Sequence, residues 1–252
     1  VGVAGAGAGV GTSALFSDEE SFEDNQIQAG ELDLFIDYTT SVDQDGVETG
    51  GTPEDGSPNT GTIQGGESGQ YQIADVKPGD SGLVALCPRI ETNPAYLWLC
   101  GELTANNENG ITEPESDVDD TGGDGNGELA QNVDVTLQYC YLDDDIADDG
   151  GFNEDDVEGA TDIWSGTLAE LFDRIQYGAP LDGDGATPMN DGGFFEPGEQ
   201  ECYPGTADDG EGPCLCLDWE VPYEVGNVIQ SDSLSFDLQL YAQQCRHNDG
   251  TD

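Results

Sequence analysis

Between residues 117 and 128 the chain places Asp117, Asp119, Asp120, Asp124, Asn126 and Glu128 on one glycine-rich stretch. Hard oxygen donors at such density suit calcium, which gathers about six to eight oxygens from flexible loops. Asp143, Asp145 and Asp148 form a second run with Asp149, and Asp182 and Asp184 form a third. None follows the calcium loop of helix–loop–helix proteins, with its alternating acids and closing glutamate. In a chain with 55 Asp and Glu, such runs also arise from composition alone, as solvated loops. Calcium is the one cofactor the sequence nominates.

Catalytic chemistry finds less support. His247 is the single histidine, and it lies close to the C-terminal end of the sequence. There is no His-Glu-x-x-His to hold zinc. A serine triad would have to use His247, and no Gly-x-Ser-x-Gly accompanies it. Carboxylate pairs are too abundant to single out a glycosidase. No catalytic residue is assigned.

Seven cysteines stand at 87, 100, 140, 202, 214, 216 and 245. With no metal motif among them, they fit an oxidising, extracellular compartment. The stretches 83–87 and 96–100 read as strands flanking a Thr92-Asn93-Pro94-Ala95 turn, and in a symmetric hairpin Cys87 would face Cys100. Cys202 is close in sequence to Cys214 and Cys216. Cys87, Cys100, Cys202, Cys214, Cys216 and Cys245 are therefore the disulfide candidates, and their connectivity stays open. The odd number leaves one thiol unbridged or paired between chains.

The formal net charge is -51, with Lys77, Arg89, Arg174 and Arg246 as the basic residues. That balance excludes nucleic acid as a partner, because phosphate binding needs Lys and Arg. It also disfavours anionic membrane surfaces. Such acidity can signal disorder, but three Trp, nine Tyr and eight Phe sit among alternating apolar stretches. A folded protein of a very saline medium is the better reading. At 1 M salt the Debye length is only ~3 Å, and dense carboxylates barely repel each other.

The elements that would position these groups are mostly strands. Residues 27–38, 71–76, 83–100 as a hairpin, 133–141, 215–221 and 234–242 all alternate or run apolar. Residues 39–69, 104–128, 143–158 and 181–213 read as long loops rich in Gly, Asp and Pro. One short helix is expected at about 165–177: Ser165 or Thr167 can cap it, Leu168, Leu171, Phe172 and Ile175 share a face, and Gly178 with Pro180 ends it. Many strands, one helix and long acidic loops predict an all-β sandwich or barrel.

The first seventeen residues carry no charged side chain. From Ala4 to Gly11 they alternate strictly, with Ala4, Ala6, Ala8 and Val10 on one face and glycines on the other. Period two is the strand period, and glycine at this density costs a helix roughly 1 kcal/mol per residue relative to Ala. A strand with small knobs on one face and bare backbone on the other suits a tight groove. Val1, Val3, Ala4, Ala6, Ala8, Val10, Ala14, Leu15 and Phe16 are its candidate contact residues. The run is too glycine-rich for an ordinary membrane helix, although Gly5-x-x-x-Gly9 is a weak helix-pairing spacing. It lacks the basic residues that open a signal peptide. A second reading makes it the tail of such a signal.

From Phe16 onward the sequence resembles a known family. Phe16-Ser17-Asp18-Glu19-Glu20, followed by Ala29-Gly30-Glu31-Leu32-Asp33-Leu34, is similar to the start of the TasA and camelysin family. Val76-Lys77-Pro78-Gly79-Asp80-Ser81-Gly82 resembles its second landmark. The stretch from Gly226-Asn227-Val228 to Ser235-Phe236-Asp237 resembles its last strand, and Gln244-Cys245-Arg246 looks like the halophilic archaeal branch. The resemblance implies a secreted, jelly-roll-like β-sandwich that polymerises into extracellular fibres, such as biofilm fibres and archaeal bundling pili. In those fibres an N-terminal strand completes a neighbour's sheet. The metalloprotease label of the family is not carried over, since the histidines for zinc are missing. Long acidic insertions and extra cysteines depart from the pattern.

The expectation is thus a donor strand at 1–16 and a sandwich domain at 17–252. The partners would be other copies of the chain, head to tail, with other cells or surfaces reached through fibre bundling. The rival expectation is a monomeric, calcium-loaded surface or adhesion module; a secreted hydrolase is a third.

Overall fold

The computed structural model describes residues 17–21, 32–44, 46–49, 59–64, 71, 75–91, 93–111, 113–118, 120, 122, 125–142, 157–187, 194–205 and 212–251. Among these, eleven strands form two antiparallel sheets. The strands are β1 (Ser17–Ser21), β2 (Leu34–Gln44), β3 (Val47–Thr49), β4 (Asn59–Gln64), β5 (Ser81–Ile90) and β6 (Ala95–Asn107), then β7 (Asp134–Leu142), β8 (Val157–Thr167), β9 (Ala179–Leu181), β10 (Cys214–Glu220) and β11 (Ser233–Gln244). The smaller sheet runs β1-β11-β6-β9. The larger runs β3-β2-β5-β10-β7-β8, with β4 also on β2. The protein is an all-β sandwich. The donor strand expected at 1–16 lies outside the described residues.

The core follows from alternation. Leu97 and Leu99 of β6, with Leu238, Leu240 and Ala242 of β11, face Leu34, Ile36, Val135, Leu137, Leu215 and Leu217 of the larger sheet, and all are buried. Each such Leu, Ile or Val side chain contributes roughly 1.5–3 kcal/mol on leaving water. Helix α2 (Leu168–Ile175) packs Leu168, Leu171, Phe172 and Ile175 against this core. Its start is a capping box. The Thr167 hydroxyl accepts from the Glu170 N–H at 3.3 Å, and the Glu170 carboxylate accepts from the Thr167 N–H at 3.0 Å.

The helix expectation holds in a shorter form, because Trp164 to Thr167 belong to β8. The loop expected at 39–69 contains the end of β2, all of β3 and all of β4. The expected loops at 104–128, 143–158 and 181–213 likewise give up their ends, or short strands, to β6, β8 and β9. Asp75 and Val76 lie outside any strand, just before the turn at Pro78–Gly79.

The hairpin expected at 83–100 is corrected. β5 lies in the larger sheet and β6 in the smaller one, so the turn after Ile90 carries the chain across the core. Two consecutive apolar strands can pair edge to edge or face each other across a sandwich, and these face each other. Cys87 therefore bonds Cys214 instead of Cys100. The β5/β10 register aligns Leu215 with Leu86, which brings Cys214 opposite Cys87 at a Cα separation of 4.1 Å. Cys216 bonds Cys140 on the other flanking strand, where Cys216 is opposite Gln138 and Cys140 is its diagonal neighbour. Cys140 was not among the candidates. Cys202 bonds Cys245, not Cys214 or Cys216, because the 202–205 segment runs beside the start of β6, next to the end of β11. Cys100 lies outside these three bridges.

The bridges on β10 build a small second core. Leu83, Ala85, Cys140, Cys214 and Cys216 are buried together on the outer face of the larger sheet. Replacing both Cys140 and Cys216 by Ser should cost about 2–5 kcal/mol, the usual loss for a native bridge in a secreted domain. Non-reducing peptide mapping with cleavage at Leu215 separates Cys214 from Cys216. It should show 87–214, 140–216 and 202–245 linkages, and an 87–100 peptide would refute the assignment.

Candidate functional site

The end of β6 and the beginning of β11 lie side by side, with Asn107 opposite Ser233. One step further out, this register sets Glu108 beside Asp232. The short helix α1 (Leu129–Asn132) packs against the same corner and brings Glu128 to it. Carboxylate oxygens of Glu108, Glu128 and Asp232 lie within 4.8 Å of one another.

Each residue is held from its own side. Glu108 is 4 % exposed, and its Oε1 accepts from the Gly110 N–H at 2.7 Å. Asp232 Oδ2 accepts from the backbone N–H groups of Glu128 at 2.6 Å and Leu129 at 2.9 Å. Asp232 follows Ser231, whose φ of 77° lies in the left-handed region that residues other than Gly rarely adopt. The Asn109 side chain pins that turn by donating to the Ser231 carbonyl at 2.8 Å and to the Ser233 hydroxyl at 2.9 Å. Asn106 ties the third side. Its amide group donates to the Gly127 carbonyl and, at 3.0 Å, to Gln131 Oε1. Gly127 is required here, because a Cβ would sit 2.9 Å from the Asn107 carbonyl carbon.

The electrostatics of this corner are one-sided. Asp232 is pushed up to about 7, first by burial; its backbone hydrogen bond to Glu128 opposes the shift, while a side-chain hydrogen bond with Glu108 and the charges of Glu108 and Glu128 add to it. Glu108 Oε2 and Asp232 Oδ1 are buried and meet no N–H or hydroxyl donor from the rest of the protein; a proton shared between the two carboxyls is the hydrogen bond open to them. Buried acceptors usually have partners, and leaving one unmade costs about 1–3 kcal/mol, more for a charged group. The donor set is all hard oxygen and carries up to three negative charges. Its chemistry is that of a hard cation site.

Of the described residues among those nominated along 117–128, Glu128 alone joins this cluster. Asp117 and Asp120 are exposed elsewhere on the loop, and Asn126 is exposed with its side chain donating to the Gly122 carbonyl at 2.9 Å. Asp119, Asp124, Asp143, Asp145 and Asp148 lie outside the described residues. Asp182 is buried but serves its own loop, accepting backbone N–H groups from Asp184, Ala186 and Glu201. Glu108 and Asp232 were not nominated. They come together only once β6 and β11 pair, and the signal was the acid one residue beyond each strand end.

The proposed polymerisation residues up to Phe16 are likewise outside the described residues, but the strand that follows them is placed. β1 pairs antiparallel with the last part of β11, from Ser17 opposite Gln243 to Ser21 opposite Gln239. The carboxylate cluster adjoins the first residue of β11. At ~3.3 Å per residue, the two ends of that strand are roughly 35 Å apart. The domain thus has two poles, one where the chain enters β1 and one holding the cluster. Among the described residues no helix is long and apolar enough to cross a membrane. Comparison with family models, curated proteins and solved structures finds no match.

Proposed function

We propose that the chain is the structural subunit of an extracellular filament, in which residues 1–16 of one copy add a strand to the sheet of the next. The observation that carries this reading is the position of β1. Among the described residues it is one of the two edge strands of the smaller sheet, paired with β11. The uncharged alternating run directly precedes it in sequence. A strand-forming run attached at a sheet edge is placed to extend or complete a sheet in another copy, where main-chain hydrogen bonds give affinity and alternate side chains give specificity. Such a head-to-tail contact does not close, so it propagates. Three disulfides support an oxidising setting outside the cytoplasm. The resemblance at Phe16–Leu34 points the same way.

Electron microscopy of the purified protein at molar salt tests the reading. Filaments are the expected result. Discrete particles alone would overturn it in favour of a monomeric, cation-binding surface module, the reading that the carboxylate cluster supports.

A further inference from the structure

We propose that Glu108, Glu128 and Asp232 bind one calcium ion, which clamps the outer ends of β6 and β11 to α1. The three residues come from separate elements, so the ion joins parts of the chain that only folding brings together. Two observations carry the assignment independently of the abundance of acids. Glu108 is 4 % exposed, and its Oε2 meets no N–H or hydroxyl donor from outside the cluster. One oxygen from each of the three carboxylates lies within 4.8 Å of the other two, a span that a cation with Ca–O bonds of about 2.3–2.6 Å bridges.

A proton shared between Glu108 and Asp232 is the other way to hold the cluster; it removes one negative charge, where a divalent ion offsets two. The charges bearing on Asp232 from Glu108 and Glu128 are both negative. A divalent ion neutralises most of that charge. Magnesium keeps several waters and is usually held by only one or two carboxylates, whereas calcium accepts irregular sets of several. Among hard cations, three converging carboxylates therefore favour calcium.

The test uses the full chain in molar NaCl, stripped with EGTA and titrated with CaCl2. Calorimetry should show one saturable site per chain above the diffuse background. At calcium a hundredfold above its Kd, the melting temperature should rise by roughly 5–10 °C. Glu108→Gln and Glu128→Gln keep the side-chain shape. Each should weaken binding by at least the roughly 10–100-fold that a lost outer-shell partner costs a metal site. Glu220→Gln, on the exposed end of β10, should bind calcium as the parent does. The proposal is overturned if the parent shows no stoichiometric site, if magnesium raises the melting temperature as much as calcium, or if both cluster variants bind with parental affinity. The parent titration decides the matter even if one variant fails to fold. Filament images play no part in it, so its failure and that of the filament reading are distinguishable.

Discussion

Deleting residues 1–15 should turn filaments into soluble monomers that still melt cooperatively at high salt. The run carries no charge, and its alternation places Ala4, Ala6, Ala8 and Val10 on one face with glycines on the other. The apolar face would fill a groove in the next copy; the glycine face would lie where backbone approaches too closely for a Cβ. Gly7→Val or Gly9→Leu should block assembly by collision, and Ala6→Asp should block it by burying an unpaired charge. None should disturb the sandwich, because the described residues of both cores run from Leu32 onward. The free 1–15 peptide added in trans should bind the truncated chain. Normal filaments from the truncated chain would sink the donor-strand mechanism and leave the run as the remnant of a signal.

The second large effect concerns salt. Moving the protein from molar NaCl to dilute buffer should lower its melting temperature by roughly 10 °C or more, equivalent to several kcal/mol for a chain of this size. The Debye length grows from about 3 Å at 1 M to about 30 Å at 0.01 M, so the -51 charges of one chain then repel across the whole domain. Few internal cations offset this. Lys77 pairs with Asp75 at 2.7 Å, and Arg89 reaches Asp37 at 3.1 Å and Glu91 at 2.8 Å, all at partly exposed positions. Such pairs contribute at most about 1 kcal/mol each. Circular dichroism across a salt titration measures the effect, and an unchanged melt in dilute buffer would refute the reading of a protein built for brine.

Where local chemistry decides structure, the sequence was legible. Thr167 with Glu170, then Leu168, Leu171, Phe172 and Ile175, specify α2 without help from the rest of the fold. The alternation in 133–141 and 234–242 likewise specifies β7 and β11. Pairing was another matter. Cys87 and Cys100 flank a turn, yet whether two apolar strands join edges or face each other depends on the remaining strands of both sheets. The same dependence hid the Cys140–Cys216 bridge, whose partners are 76 residues apart. It also hid the carboxylate corner, since Asp232 and Glu128 meet across 104 positions. Dense acidity added a second difficulty, because every loop offered plausible oxygen ligands, and convergence with two other carboxylates, not burial alone, separates Glu108 from buried Asp80, Glu115 and Asp182.

The three bridges also set how far the domain can be drawn out under tension. Cys87 is bonded to Cys214, the backbone from 214 leads back to 202, and Cys202 is bonded to Cys245. Cys140–Cys216 lies inside that circuit. A pull that reached Cys87 from the N-terminal side would meet covalent bonds, not hydrogen bonds, all the way to Cys245. The chain ahead of Cys87 can yield by at most about 3.5 Å per residue, roughly 300 Å, and the 202–214 link and the residues after Cys245 add a shorter length. In the proposed fibre, extension beyond that length would be resisted by covalent bonds. In reducing conditions the same pull could unravel the whole chain. A single-molecule extension trace would record the difference as the change in contour length between the two conditions.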